Sequence, residues 1–96
     1  MVSDSNKPIA NSSVVLREEF DDWAILFDPD SGGGFGLNPV SVFIWKNLDG
    51  KHTVEDILVE LRKNCENVPQ NAEDYIRNFI QELVEGGLAG YEFKEG

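Results

Sequence analysis

The sequence predicts an α+β domain in which a small sheet of three strands precedes three helices. Three observations carry this. Apolar residues alternate with polar ones, or run continuously, between Val14 and Phe27; they recur at three- and four-residue spacing between Val40 and Val84; and a block rich in Asp, Pro and Gly separates the two regimes. Ninety-six residues with 41% hydrophobic content suit one domain with one modest core and leave little room for a deep catalytic pocket.

Residues 1–13 are polar, with Ser3, Asp4, Ser5, Asn6, Lys7, Asn11, Ser12 and Ser13, and they read as a mobile tail because they carry too little apolar surface to order themselves. The first strand begins at Val14, with Val14, Leu16 and Phe20 on one face and Val15, Arg17 and Glu19 on the other. Asp21 and Asp22 are turn residues. Trp23, Ala24, Ile25, Leu26 and Phe27 then form a run apolar on both faces, which reads as a central strand. Asp28 to Gly34 is a turn-rich loop, and Phe35, Gly36 and Leu37 form a short third strand.

Asn38 followed by Pro39 marks a helix start, since Asn caps free amides and Pro suits the first helical position. Val40, Phe43, Ile44 and Leu48, widened by Trp45, give that helix a buried stripe that stops at Asp49-Gly50. Thr53 with Asp56 resembles a capping box for a second, amphipathic helix whose face holds Val54, Ile57, Leu58, Leu61 and Cys65. Asn71 is the expected cap of the third helix, with Ala72, Tyr75, Ile76, Phe79, Ile80, Leu83 and Val84 as its stripe and Gly86-Gly87 as its end. Beyond it, Leu88, Tyr91 and Phe93 alternate with smaller or polar residues; a short strand and a tail docked by its aromatics both fit.

Eight basic against eighteen acidic residues give a net charge of -10, which disfavours nucleic acid and favours solubility or a basic partner. A lone Cys65 and a lone His52 offer neither a disulfide nor a zinc ligand set, and no nucleophile signature surrounds either of them. His52 reads as a surface or capping residue and Cys65 as a small core hydrophobe. The run Gly32 to Gly36 lacks the Lys and Ser or Thr of a phosphate-binding loop, and the pairs Asp21/Asp22 and Asp28/Asp30 lack the frame of a calcium loop. The sequence therefore implies no cofactor and no metal, and with no signal peptide or apolar span it reads as a soluble cytoplasmic protein.

The third strand is unusual because Gly34 and Gly36 flank Phe35. Glycine weakens a strand but admits another backbone, so at a sheet edge residues 34–37 would accept an added peptide strand, with Phe35 or Leu37 lining the adjoining groove. A requirement of the turn alone explains the same glycines. The wide stripe with Tyr75 and Phe79 fits either a groove wall or simple core.

The chain resembles the PqqD family through an ordered set of residues: Arg17-Glu18, Ala24 to Phe27 followed by Asp28-Pro29, Leu37-Asn38, Ile44-Trp45, Leu48-Asp49-Gly50, Thr53 to Ile57, and Leu83 through Gly87-Leu88. The resemblance implies a winged-helix-like domain over residues 14–88, with a three-stranded antiparallel sheet followed by three helices and a C-terminal extension over 89–96. It also implies a non-catalytic peptide chaperone that binds the leader of a ribosomally made precursor peptide and presents it to a modifying enzyme, often of the radical S-adenosylmethionine type. The leader positions it carries over are Gly34, Phe35, Gly36, Leu37 and Asn38 on the strand side and Tyr75, Asn78, Phe79 and Glu82 on the third helix. Gly36→Val and Leu37→Asp are expected to weaken binding without unfolding the domain.

This chain departs from the family pattern in a long glycine-rich loop, which would alter the peptide that fits, in a polar tail at the start, and in the residues after Gly87, whose Tyr91 and Phe93 would cover the groove or form a homodimer surface. The alternatives are an acidic winged-helix module that docks on an enzyme or regulator without a leader, and a nucleic-acid binder. The latter would need a basic stripe where the third helix has only Arg77.

Overall fold

The computed structural model describes residues 7–30, 32–65 and 68–91. The element order is β1 (Pro8–Ala10), β2 (Val15–Glu18), β3 (Ala24–Phe27), β4 (Gly34–Leu37), α1 (Pro39–Lys46), α2 (Val54–Asn64), α3 (Ala72–Glu85) and β5 (Ala89–Tyr91). The three strands expected from the sequence are β2, β3 and β4, which form one antiparallel sheet in the order β2-β3-β4. The fold is α+β and winged-helix-like, as expected.

One face of this sheet meets the helices. Ala24, Leu26 and Leu37 are buried, and they join Ile44, Ile57, Leu61, Ile76, Ile80 and Leu83 in a single core. Strand alternation sends Val15, Ile25 and Phe27 to the opposite face, where they are 53%, 40% and 44% exposed. The run from Trp23 to Phe27 is thus apolar on both faces, yet the helices cover only one of them.

Phe20 departs from the expected alternation and is 82% exposed. Asp21 and Asp22 take left-handed backbone angles, φ 59° and 63°, in the β2–β3 turn. Glu19 N–H donates to Trp23 O, while Trp23 N–H donates to Phe20 O. Two residues therefore oppose one, and this bulge ejects Phe20 from the core face.

The helix signals hold with two corrections. Asn38 caps α1 by accepting from Ser41 N–H at 2.8 Å, but the helix ends at Lys46, and its buried residues are Ser41, Val42, Ile44 and Trp45 rather than Val40 and Phe43. Asn71 makes no side-chain cap on α3. The α3 terminus is as expected: Gly87 has φ +76°, and Leu88 N–H donates to Leu83 O while Gly87 N–H donates to Val84 O, satisfying carbonyls the helix leaves open.

Thr53 and Asp56 complete a reciprocal capping box on α2. The Thr53 backbone amide, hydrogen-bonded to the Asp56 carboxylate, holds that acid below the usual 3.8. Likewise the hydrogen bond from His52 holds Asp49 below 3.8, which places His52 in the surface role expected of it. Thr53→Ala is expected to cost about 1 kcal/mol and to lower Tm by about 4–8 °C in a thermal melt, because the Asp56 amide loses its acceptor, Thr53 Oγ1.

Residues 8–10 correct the expectation of a mobile tail over 1–13. Pro8, Ile9 and Ala10 pair antiparallel with Tyr91, Gly90 and Ala89, and Ala10 N–H donates to Leu48 O. Their order comes from partners about eighty residues away, a contribution that local composition does not register. The same pairing makes the segment after α3 a strand, so the expected boundaries at 14 and 88 extend to Pro8 and Tyr91; Met1 to Asn6 and Phe93 lie outside the described residues. No helix of the described residues is long and apolar enough to cross a membrane.

Candidate functional site

The strand β4 lies at the edge of its sheet, beside α3. Hydrogen-bonded and non-bonded pairs alternate along an antiparallel ladder. Asp28 N–H donates to Gly33 O at 3.0 Å, so the bonded pairs continue through Leu26 with Phe35 and Ala24 with Leu37. Gly34 and Gly36 occupy the intervening positions, and their N–H and C=O groups point away from β3 toward the free edge. None of the usual edge protection, such as a Pro, a Lys or a bulge, occurs within Gly34–Leu37.

Between this edge and α3 runs an open groove of about 410 Å³. Its floor is an aromatic series. Phe35 tilts against Phe79 with centroids 6.2 Å apart, and Phe79 stacks near-parallel with Tyr75 at 6.5 Å. Phe79 is 6% exposed and anchors the series in the core, whereas Tyr75 stands at 36%.

A polar cluster fixes one end of the groove. Tyr75 Oη and Ser41 Oγ share a 2.6 Å hydrogen bond, and Asn38 Nδ2 donates to Tyr75 Oη at 3.2 Å. Asn38 therefore caps α1 with its oxygen and ties α1 to α3 with its nitrogen. The contacts pair Phe35 with Phe79 and Asn38 with Tyr75, so β4 and α3 run in opposite directions along the same groove. A strand added to β4 would follow the helix.

Of the nine positions carried over in the sequence analysis, Phe35, Gly36, Asn38, Tyr75, Asn78, Phe79 and Glu82 all line this groove. Gly34 is the next residue along the same edge and is exposed. Leu37 is the correction: it shares the helix-side face with Phe35, but at 1% exposure its side chain is covered in the core and does not line the groove. Trp23, Ser41, Asn71 and Asp74 also line it and were not among the nine. Asn71, Asp74, Asn78 and Glu82 recur at steps of three and four, so helical periodicity alone would have placed them on one polar ridge. Trp23 had no such signal, because it read as part of the apolar strand. Among the described residues, no three His, Cys, Asp or Glu side chains stand together as a metal site.

The fold and the groove define a small winged-helix-like domain with an open sheet edge beside its last helix. Residues 24–89 match the family described as coenzyme PQQ synthesis protein D, and this span is more than half of the chain. The chain belongs to the PqqD family.

Solved structures show the same architecture. TbiB1 in complex with the TbiA(beta) leader peptide shares 24% identity, covers 92% of this chain and 99% of its own, and superposes with a TM-score of 0.68. A lasso peptide synthetase B1 complexed with the leader peptide gives 24% identity, 88% and 98% coverage and a TM-score of 0.71. The heterocyclase TruD has 20% identity and a TM-score of 0.64, and its match spans 95% of this chain but 12% of TruD. At these identities the likeness establishes the fold. No curated protein sequence matches the chain.

Proposed function

We propose that this protein captures the leader segment of a ribosomally made precursor peptide by strand addition at β4 and presents it to a modifying enzyme, such as a radical S-adenosylmethionine enzyme, in the cytoplasm, without chemistry of its own. The observation that carries this reading is the unprotected Gly34–Leu37 edge facing the Phe35, Phe79 and Tyr75 floor. Main-chain hydrogen bonds from Gly34 and Gly36 would set the register, and the aromatic floor would choose the side chain. Two structures of similar fold are complexes with leader peptides, which supports a leader peptide as the ligand here.

Ordering a flexible leader offsets part of the contact energy, so a dissociation constant of about 1 μM is expected. Trp23, 53% exposed at the groove, is the natural reporter; Trp45 is 8% exposed and supplies a constant background. Titrating a leader peptide of a precursor encoded near this gene, once one is identified, is expected to shift tryptophan emission to the blue and to saturate in that range. A flat titration up to about 100 μM with folded protein rejects leader capture.

A further inference from the structure

The geometry points to a second recognition surface for the bound peptide: the outer face of the sheet, where Ile25 and Phe27 take two large aromatic side chains of the added strand, at positions i and i+2, laid across Gly36 and Gly34. This inference rests on strand addition at β4 and goes beyond it, because it assigns a ligand chemistry to the face turned away from the groove.

The strand register places Gly36 opposite Ile25 and Gly34 opposite Phe27. A Cβ built on Gly34 would stand 3.7 Å from Ile25 Cγ2, so the missing side chains of β4 belong to the face on which Ile25 and Phe27 are exposed. A Cβ on Gly36 would meet nothing within 4 Å. Neither glycine has a positive φ, so backbone conformation does not require them. Their effect is to leave two apolar side chains of β3 uncovered beside an open edge.

The occupant follows from reach and direction. An added strand lies about 4.8 Å from β4 and roughly 10 Å from β3. A small side chain cannot span that gap; a Phe, Tyr or Trp leaning over a glycine can, as aromatic residues do beside strand glycines. Residues opposite Gly34 and Gly36 point to this outer face, while the residue between them, opposite Phe35, points into the groove over Phe79. The matching core of the ligand is therefore aromatic, apolar, aromatic in three consecutive residues. A second copy of this chain fits the face poorly, because two molecules of charge -10 repel.

The test uses two acetylated, amidated heptapeptides, TKFVFKT and TKAVAKT, in amide and methyl NMR titrations of the whole chain. The expected result is that both shift residues 34–37 and α3, that only TKFVFKT shifts Ile25 and Phe27, and that it binds about fivefold to tenfold tighter. Ile25→Ser with Phe27→Ser should remove that preference; both residues are exposed, and circular dichroism checks the fold. Gly34→Val, whose Cβ would stand 3.7 Å from Ile25 Cγ2 and so covers Ile25 from within the chain, is the second variant and should reduce the preference in the same way. Equal affinity of the two peptides at the groove overturns the inference and leaves strand addition standing. So does a phenylalanine preference that survives both variants. Shifts at Ile25 and Phe27 that grow with protein concentration alone give the face to a second copy and overturn it. Absence of shifts with either peptide also overturns it, while the Trp23 titration with the precursor's own leader decides leader capture separately.

Discussion

Leu37→Asp is expected to unfold the protein, not merely to weaken its binding of a peptide. Leu37 is 1% exposed, within the core cluster that contains Leu26 and Ile44. Removing it forfeits about 2–3 kcal/mol of apolar burial, and the new carboxylate finds no cation among those neighbours, which adds several kcal/mol more. Small domains sit near the lower end of the usual 5–15 kcal/mol stability, so the sum meets or exceeds what is available. Loss of the cooperative thermal transition and of near-ultraviolet dichroism would show it. A folded Leu37→Asp protein that has lost only peptide affinity would return Leu37 to the groove, as the sequence alone suggested.

Gly36→Pro should do the opposite: keep the fold and remove the peptide. The Gly36 N–H points away from β3, so proline deletes no bond of the existing sheet, and its φ is not of the left-handed kind that proline cannot adopt. An added strand would lose its central main-chain donor and meet the ring instead. The expected loss of leader affinity is about 10- to 100-fold, equivalent to roughly 1.4–2.8 kcal/mol, with a change in Tm of only a few degrees. Gly36→Ala retains the donor and points into open space, so its affinity should stay within about twofold of the parent. Normal binding by a folded Gly36→Pro protein would exclude β4 as the docking edge.

The contrast between these two neighbours shows what the sequence could not say. In the sequence, Gly36 reads as the point of backbone approach, and Phe35 and Leu37 read as interchangeable groove residues on either side of it. Phe35 and Leu37 share the strand face turned to the helices, and Gly36 between them offers its backbone at the free edge. What separates the two side chains is how far the helices cover them: Phe35 stays half-buried at the groove and Leu37 is fully buried in the core. Assigning these roles requires the register with β3 and the position of the helices, and neither is encoded within those three residues.

What the sequence determined by itself were features that depend on near neighbours. The Asn38-Pro39 start, the Thr53/Asp56 box, the Gly86-Gly87 stop and the periodicities of β3, α2 and α3 are local, because capping, turn formation and face alternation act over a few residues. Their order also carried the family resemblance. What only the tertiary structure decided were the features made by distant partners. The pairing of Pro8–Ala10 with Ala89–Tyr91, the bulge that ejects Phe20, the turning of Asn71 from a cap to a groove wall, and the bare outer face over Gly34 and Gly36 each depend on which surface meets which. A local pattern states that a face is apolar; which apolar faces are covered in this chain is decided by the packing of the whole, and the faces left open are where a partner strand would bind.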